Sequence, residues 1–587
     1  MKIRDTLTHV WPFVRPYRLR LSGGVIAFGI SRVFEAMVPF FLAMGLNRLG
    51  AGNHDLMLPI VGIFAVVAGR YVVVTYARYS VRKVGHYVAY DLRRALYANL
   101  QQQGIRFFNQ HSIGDMMTRA VADIGLIQRF IAMGTILFII LIYATVVGFS
   151  FMLYFSPELT LLLIPPLPFV FMYAQRSARE MGITSEAVQE RLSDLGSHVQ
   201  ENLSGIRTIQ AMAQEDHEIR RFGQTNQRYA DAFYDQARVN SLMTSWIPTL
   251  AAICTVTILG YGGSLVMSGE MKVGDFVAFF MYVNMIVQPF RVAGFIVNLF
   301  QRAGVASRRL REVLDLKPEI EDTGKDIVAA PIQGRIEIRD LHFRYTADRA
   351  QVLNGIDLNI EPGEIIAIMG KVGSGKTTLL RQIARLLDPA PGHIFIDSRD
   401  IREYPLASLR AQVALVPQDP FLFGEPIHDN LTYDDPVRQV DAIWSAAEAA
   451  DLTDTINSFP ERLRTLVGER GVTLSGGQKQ RATLARGLIR EAPILLLDDC
   501  FSSVDTETEE HILGSLTRLR DRQTTLLVSH RVSTARHADR IIVLDDGRIV
   551  ESGTHAQLLA AGGWYAELER IQREGADATD YTGLATA

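Results

Sequence analysis

The chain has 587 residues, 48% of them hydrophobic and 21% charged, with a mean hydropathy of +0.12 and a formal net charge of −3. That is too long for one ordinary domain, too apolar for a purely soluble protein with this many charges, and too near neutral for a nucleic-acid footprint. Its two cysteines, Cys254 and Cys500, sit in unrelated contexts, which excludes a disulfide framework and leaves no zinc-ligand spacing.

The first residues, MKIRDTLTHVWPFVRPYRLRLSGG, are basic and mixed, with no compact apolar run leading to a small-residue cleavage site, so the first span reads as an uncleaved anchor. Crossing the hydrocarbon core takes about 20 mainly apolar residues. Six segments qualify, at 21–46, 56–80, 129–155, 159–181, 243–267 and 276–300, and 130–155 carries no charge at all. A buried helix of a soluble protein can be equally apolar, but six such lengths in one chain argue for a membrane domain. Connections after spans one, three and five are short. Those after spans two and four, about 82–127 and 182–240, are long, polar and helical in pattern, with Arg82, Lys83, Arg93, Arg94, Arg119, Arg207, Arg220 and Arg221. The positive-inside bias places these long loops and both termini in the cytoplasm of a multi-pass protein of the cell membrane. Polar groups inside the spans are costly in lipid. Arg32 and Glu35 share a helix face, Arg70 lies in span two, and Asn284, Gln288, Arg291 and Asn298 fall near one face of span six. Two readings stay open: a substrate-facing cavity, or structural pairing and snorkelling.

Composition changes after about residue 310. The stretch LKPEIEDTGKDIVAAPIQG reads as a linker, RIEIRDLHFRY alternates like a strand, and EIIAIM is a short buried strand. GKVGSGKT follows at 370–377, a full match to the phosphate-binding loop pattern, between that strand and the apolar helix TTLLRQIARLL. Its glycines let backbone N–H groups wrap a phosphate at a helix N-terminus. Gly370, Lys371, Val372, Gly373, Ser374, Gly375, Lys376, Thr377 and Thr378 are the candidate ATP-binding residues; Lys376 reaches the β- and γ-phosphates and Thr377 ligates Mg²⁺. Later, PILLLDD is a buried strand delivering Asp498 to the metal and Asp499 beside it.

Between these lies LSGGQKQR at 474–481, and here the chain resembles the ATP-binding cassette proteins. Other elements of that family follow in order: Tyr345, Gln418 in VPQDPFLFG, Glu469 in VGERG, SSVD ending at Asp505, and His530 in LLVSH. SIGDMMTRAVAD (112–123) and the loop around SGIRTIQAMAQED (204–216) look like coupling segments of exporter-type members. Nearly the whole chain is similar to a type I, B-family exporter half. The resemblance implies an all-α six-helix transmembrane domain over 1–312, a linker over 313–333, an α/β P-loop nucleotide-binding domain over 334–571, and a disordered tail over 572–587. It implies that Tyr345 stacks on adenine, that Gln418 sits near Mg²⁺ and the attacking water, and that His530 contacts the γ-phosphate. Ser475, Gly476, Gly477 and Gln478 would offer donors to an ATP held by another cassette, which implies a second half-transporter as partner.

One position departs from the family pattern: the residue after Asp498 is Asp499, where the general base is normally a Glu. The shorter side chain retracts the carboxylate by roughly 1 Å, a misplacement that can cost on the order of 10²-fold in rate. Asp499 either still works with an adjusted backbone, or marks the weakly hydrolytic subunit of a heterodimer whose partner carries the Glu. The expected function is ATP-driven export of amphipathic small molecules, drugs or lipids, with an ATPase cycle coupled to alternating access. Peptide or siderophore transport, and an ATP-gated channel or regulator that does not pump, are the rival readings.

Overall fold

The computed structural model describes residues 3–290, 293–322, 331–346, 350–468, 474–518 and 523–574. The chain separates into two compact units: Met1–Gln101 with His111–Lys317, and Gln102–Gln110 with Pro318–Ala587.

The first unit is helical. Among the described residues three helices, His9–Gly50, Met57–Gln101 and Ile113–Phe155, are long and apolar enough to cross a membrane, and two apolar helices, Thr255–Met267 and Val273–Val287, are shorter. All six predicted spans fall on helix, with two qualifications. The fourth is broken between Pro157–Leu163 and Pro166–Ser204, where consecutive prolines remove helix donors. The sixth crosses residues 291 and 292, which lie outside the described residues. The predicted long polar loops are continuations of the spanning helices. Met57–Gln101 is one helix of 45 residues, about 68 Å of rise against a hydrocarbon core of about 30 Å. Pro166–Ser204 and Glu215–Thr257 form a second long pair.

Small residues set the closest approach of these helices. A Cβ on Gly24 would lie 2.8 Å from Val81 Cγ2, and Phe28, Ala77, Val81, Ile136 and Ile139 pack around that crossing. A second cluster gathers Met152, Leu159, Ile258, Phe279 and Tyr282. The Tyr282 hydroxyl donates to the Ala36 carbonyl at 2.7 Å, so this buried tyrosine leaves no orphan donor. The charges of spans one and two pair with each other: Glu35 accepts from Arg32, and its Oε1 lies 2.9 Å from Arg70 Nη2. Structural pairing is thus the arrangement observed there. In span six, Asn284 is exposed and donates to the carbonyl of Phe280 one turn earlier at 3.1 Å. The side chain of Gln288, and Arg291 altogether, lie outside the described residues.

The second unit is α/β, with ten strands among the described residues: β1 Ile336–Phe343, β2 Leu353–Ile360, β3 Ile365–Gly370, β4 Ile394–Ile396, β5 Arg399–Asp400, β6 Val413–Val416, β7 Ile494–Asp498, β8 Thr524–Val528, β9 Arg540–Asp545 and β10 Arg548–Gly553. One sheet has the order β2-β1-β4-β5, all antiparallel; the other runs β10-β9-β3-β8-β7-β6, parallel except for the β9–β10 hairpin. Every residue of β3, β7 and β8 is buried, the pattern of parallel strands covered on both faces. Because these three strands are parallel neighbours, the turns that follow them emerge at one edge of the sheet, where doubly wound folds place ligands. The last helix, Trp564–Arg573, ends two residues beyond the predicted boundary at 571. Residues 575–587 of the predicted tail lie outside the described residues.

Candidate active site

The turn after β3 is shaped by glycine. Gly370 closes the strand with φ +138°, and a Cβ there would sit 2.1 Å from the Leu544 carbonyl oxygen. No other residue fits that place without moving β9. Gly375, at φ +103°, precedes the helix Lys376–Ile383 and supplies no side-chain cap. The first N–H groups of this helix therefore face the turn without a side-chain acceptor among the described residues, the arrangement that binds anions. Ser374 is buried in the same turn, and its Oγ lacks a hydrogen-bond partner among the described residues. Lys371 flanks the turn and Val372 projects outward, 92% exposed.

Lys376 folds back over the turn, its Nζ donating to the carbonyls of Gly370 at 2.8 Å and Lys371 at 2.7 Å. Burial draws this ammonium down to about 8, with Asp499 and Asp498 opposing the shift. Beside it, Thr377 Oγ1 donates to Asp498 Oδ1 at 2.9 Å. A hydroxyl and a buried carboxylate already in contact at the phosphate cradle are hard oxygen donors of the kind Mg²⁺ takes, so these two residues fit that ion. Thr378 Oγ1 and the Tyr345 hydroxyl share a hydrogen bond at 3.0 Å, which fixes one end of the aromatic ring.

Asp499 leaves β7 with φ +46°, a left-handed conformation that Asp tolerates better than most residues. Its N–H donates to Val528 at the end of β8 at 3.1 Å, and its Oδ2 accepts from Gln418 Nε2 at 3.3 Å. Burial first, then the neighbouring Asp498, pushes the Asp499 carboxyl up to about 6. His530, in the turn after β8, is held below its ordinary pKa by desolvation and by the Lys376 cation, so it is neutral near pH 7. The structure thus gathers the phosphate turn, Thr377, Asp498, Asp499, Gln418 and Tyr345 through direct hydrogen bonds. Cys500 is buried beside them, and burial raises its thiol pKa, so it stays protonated and packs as a small apolar side chain.

The signature residues form a different helix start. Ser475 Oγ accepts from the Gln478 N–H at 3.3 Å, and Gln478 Oε1 accepts from the Ser475 N–H at 2.9 Å, a capping box on the helix Gly476–Leu488. Gly477 lies against the turn after β7, where a Cβ would meet the Ser503 carbonyl oxygen at 2.8 Å. Two further residues, which sequence reasoning passed over, stitch these turns together. Gln480 donates to Ser502 Oγ and accepts from the Ser503 N–H, each at 2.9 Å. Arg531 donates to the Val504 carbonyl at 3.1 Å and to Glu509 at 2.6 Å. Their only sequence signal was adjacency, to LSGGQ and to His530 respectively. Glu469 lies outside the described residues.

Residues 19–290 match the family described as ABC transporter transmembrane region, and residues 353–502 match ABC transporter. Both halves of the chain, and their fusion in one polypeptide, are accounted for. The chain belongs to the ABC transporter family.

The exporter is 34% identical over 590 residues to an ATP-dependent lipid A-core flippase of Aromatoleum aromaticum, covering 96% of this chain and 95% of that one. It is 30% identical over 573 residues to YknU of Bacillus subtilis, an ABC transporter ATP-binding protein, covering 97% of each. It is 32% identical over 572 residues to a putative multidrug export ATP-binding/permease protein of Staphylococcus aureus, covering 95% and 98%. Among solved structures it is similar to a bacterial Atm1-family ABC exporter with ATP bound, at a TM-score of 0.79 and 26% identity, covering 94% of this chain and 99% of that one. The protein is accordingly a type I exporter with a membrane-embedded helical domain and an ATPase coupled to transport.

Proposed function

We propose that this exporter moves amphipathic small molecules, drugs or lipids, by alternating access, as one subunit of a dimer whose own ATP site hydrolyses slowly. The observation that carries the ATP chemistry is the uncapped helix start at Gly375, ringed by Lys376, Thr377, Asp498 and Asp499. In this reading Tyr345 stacks on adenine, the N–H groups of 370–378 hold the phosphates, and Lys376 releases its two carbonyls to bind the β- and γ-oxygens. Thr377 and Asp498, with Gln418 nearby, would hold Mg²⁺, which when bound neutralises developing charge on the phosphates. Asp499 takes the proton of the attacking water, Gln418 orients that water, and neutral His530 donates to the γ-phosphate. Ser475, Gly476, Gly477 and Gln478 serve the nucleotide of the partner half-transporter.

The reading of a slow site rests on side-chain length. Gln418 reaches Asp499 only at 3.3 Å, and a base one methylene too short acts on a misplaced water. A partner with Glu at this position would supply the fast site. Six spans with both termini and the ATP-binding unit in the cytoplasm agree with the basic loops around Arg82 and Arg220. The relatives named for lipid and multidrug export support a substrate with both apolar and polar parts.

The test is ATP-dependent accumulation of a fluorescent lipid or an amphipathic dye in inverted membrane vesicles, with Lys376→Ala as control. Uptake against a gradient that stops with the substitution is expected. Flux that only relaxes an existing gradient would mean gating without pumping, and accumulation of peptides alone would assign the protein to peptide export.

A further inference from the structure

We propose that Arg106 is a positioning residue for the adenine-stacking ring of Tyr345, so that a segment inserted between two membrane-unit helices tunes nucleotide affinity. The inference deepens the proposed reading of Tyr345 and rests on it.

Residues Gln102–Gln110 sit in the sequence between the helices Met57–Gln101 and Ile113–Phe155, yet in space they belong to the ATP-binding unit. Within that unit the short helix Ile105–Gln110 presents Arg106 to two partners. Its Nε lies 3.3 Å from Glu319 Oε1, and its guanidinium carbon sits 5.1 Å from the centroid of the Phe343 ring. Phe343 is buried at the end of β1 and meets Tyr345 edge to face, with centroids 5.2 Å apart and planes at 79°. The tyrosine hydroxyl is held from the other side by Thr378. The ring that is to receive a base is therefore fixed at two points, its hydroxyl and its contact with Phe343, and Arg106 lies over the Phe343 ring that makes the second. A guanidinium near an aromatic face is attracted by the ring quadrupole, and Glu319 holds the guanidinium there. An ordered Tyr345 meets adenine without first losing rotamer freedom, so removing the support weakens the base contact and leaves the phosphate contacts alone.

The experiment uses the full chain in lipid nanodiscs and measures binding of a fluorescent ATP analogue and, by competition, of inorganic tripolyphosphate. For Arg106→Ala the Kd for the nucleotide is expected to rise about three- to ten-fold, with tripolyphosphate unchanged. Tyr345→Ala should give an equal or larger rise for the nucleotide only. In the double variant the Arg106 effect should vanish, because no ring remains to position. A nucleotide Kd unmoved by Arg106→Ala, while Tyr345→Ala raises it, overturns the inference and spares the reading of Tyr345. Parallel losses for nucleotide and tripolyphosphate, or full additivity in the double variant, make Arg106 a general support of the unit and also overturn it. An unmoved Kd in Tyr345→Ala removes the adenine reading itself, and the inference with it.

Discussion

Two helix starts in the ATP-binding unit look alike in sequence, both glycine-bearing and both assigned to phosphate, yet they are built in opposite ways. The helix at Lys376 follows a glycine at φ +103° and has no side-chain cap. The helix at Gly476 is closed by its own Ser475 and Gln478 in a reciprocal pair of hydrogen bonds. The first spends nothing internally and stands ready for an anion, with a buried cation folded over it. In the second, the Gln478 N–H is already taken by Ser475, while among the described residues those of Gly476 and Gly477 are left for a ligand. An isolated subunit should then bind ATP at its P-loop unaided. On the proposed reading the signature turn, its shape held by its own capping box, meets a nucleotide brought by a second subunit.

The largest break in this contrast should come from Lys376→Ala. Loss of the buried cation is expected to weaken ATP binding to the single subunit by about 100-fold, read by equilibrium binding in nanodiscs. Gly477→Ala should do the reverse. Its new Cβ displaces Ser503, leaving nucleotide binding near wild type while turnover of the assembled transporter falls by about 10²-fold. Measured binding losses of similar size in the two variants would erase the distinction.

On the proposed reading Asp499→Glu lengthens the base by one methylene, and single-turnover hydrolysis at this chain's own site is expected to rise about tenfold with an unchanged Kd. An unchanged rate would remove the missing methylene as the cause of slow turnover. The same carboxyl, pushed up to about 6 by burial and by Asp498, is ionised above that pH and protonated below it. Residual hydrolysis at this site should therefore decline as pH falls through about 6. Lys376 titrates on the other side. Drawn down to about 8 in the nucleotide-free site, it is a cation below that pH and neutral above it, so ATP must bring a proton with it at higher pH. The Kd should climb by up to about tenfold per pH unit above 8, measured at constant ionic strength. The capping box, made of neutral groups, shows no such dependence. The smallest effect is structural. Ser475→Ala loses an N-cap, about 1 kcal/mol, and should lower the melting temperature of the cassette by about 2–4 °C with P-loop binding intact.

Much of this was legible in the sequence because its signals are local. Glycine at 370, 373 and 375 supplies the positive φ angles a phosphate turn needs, and the apolar runs of β3, β7 and β8 announce a covered parallel sheet. The charge pattern separated apolar segments from polar connections, and the helical pattern read in the long connections is found as helix. Pairing was harder to read. Glu35 had an obvious neighbour in Arg32 at i−3, but its contact with Arg70 depends on two helices crossing at one height.

Sequence alone determined the phosphate-turn pattern, the apolar segments and the kinship, since each is written in residue type and spacing within a few turns of chain. Tertiary structure alone decided that Gln480 and Arg531 join three turns, and that residues 102–110 belong with the ATP-binding unit and set Arg106 near Phe343. Those contacts link residues far apart in the chain, and periodicity carries no information about which distant side chains a folded core brings within a few ångströms.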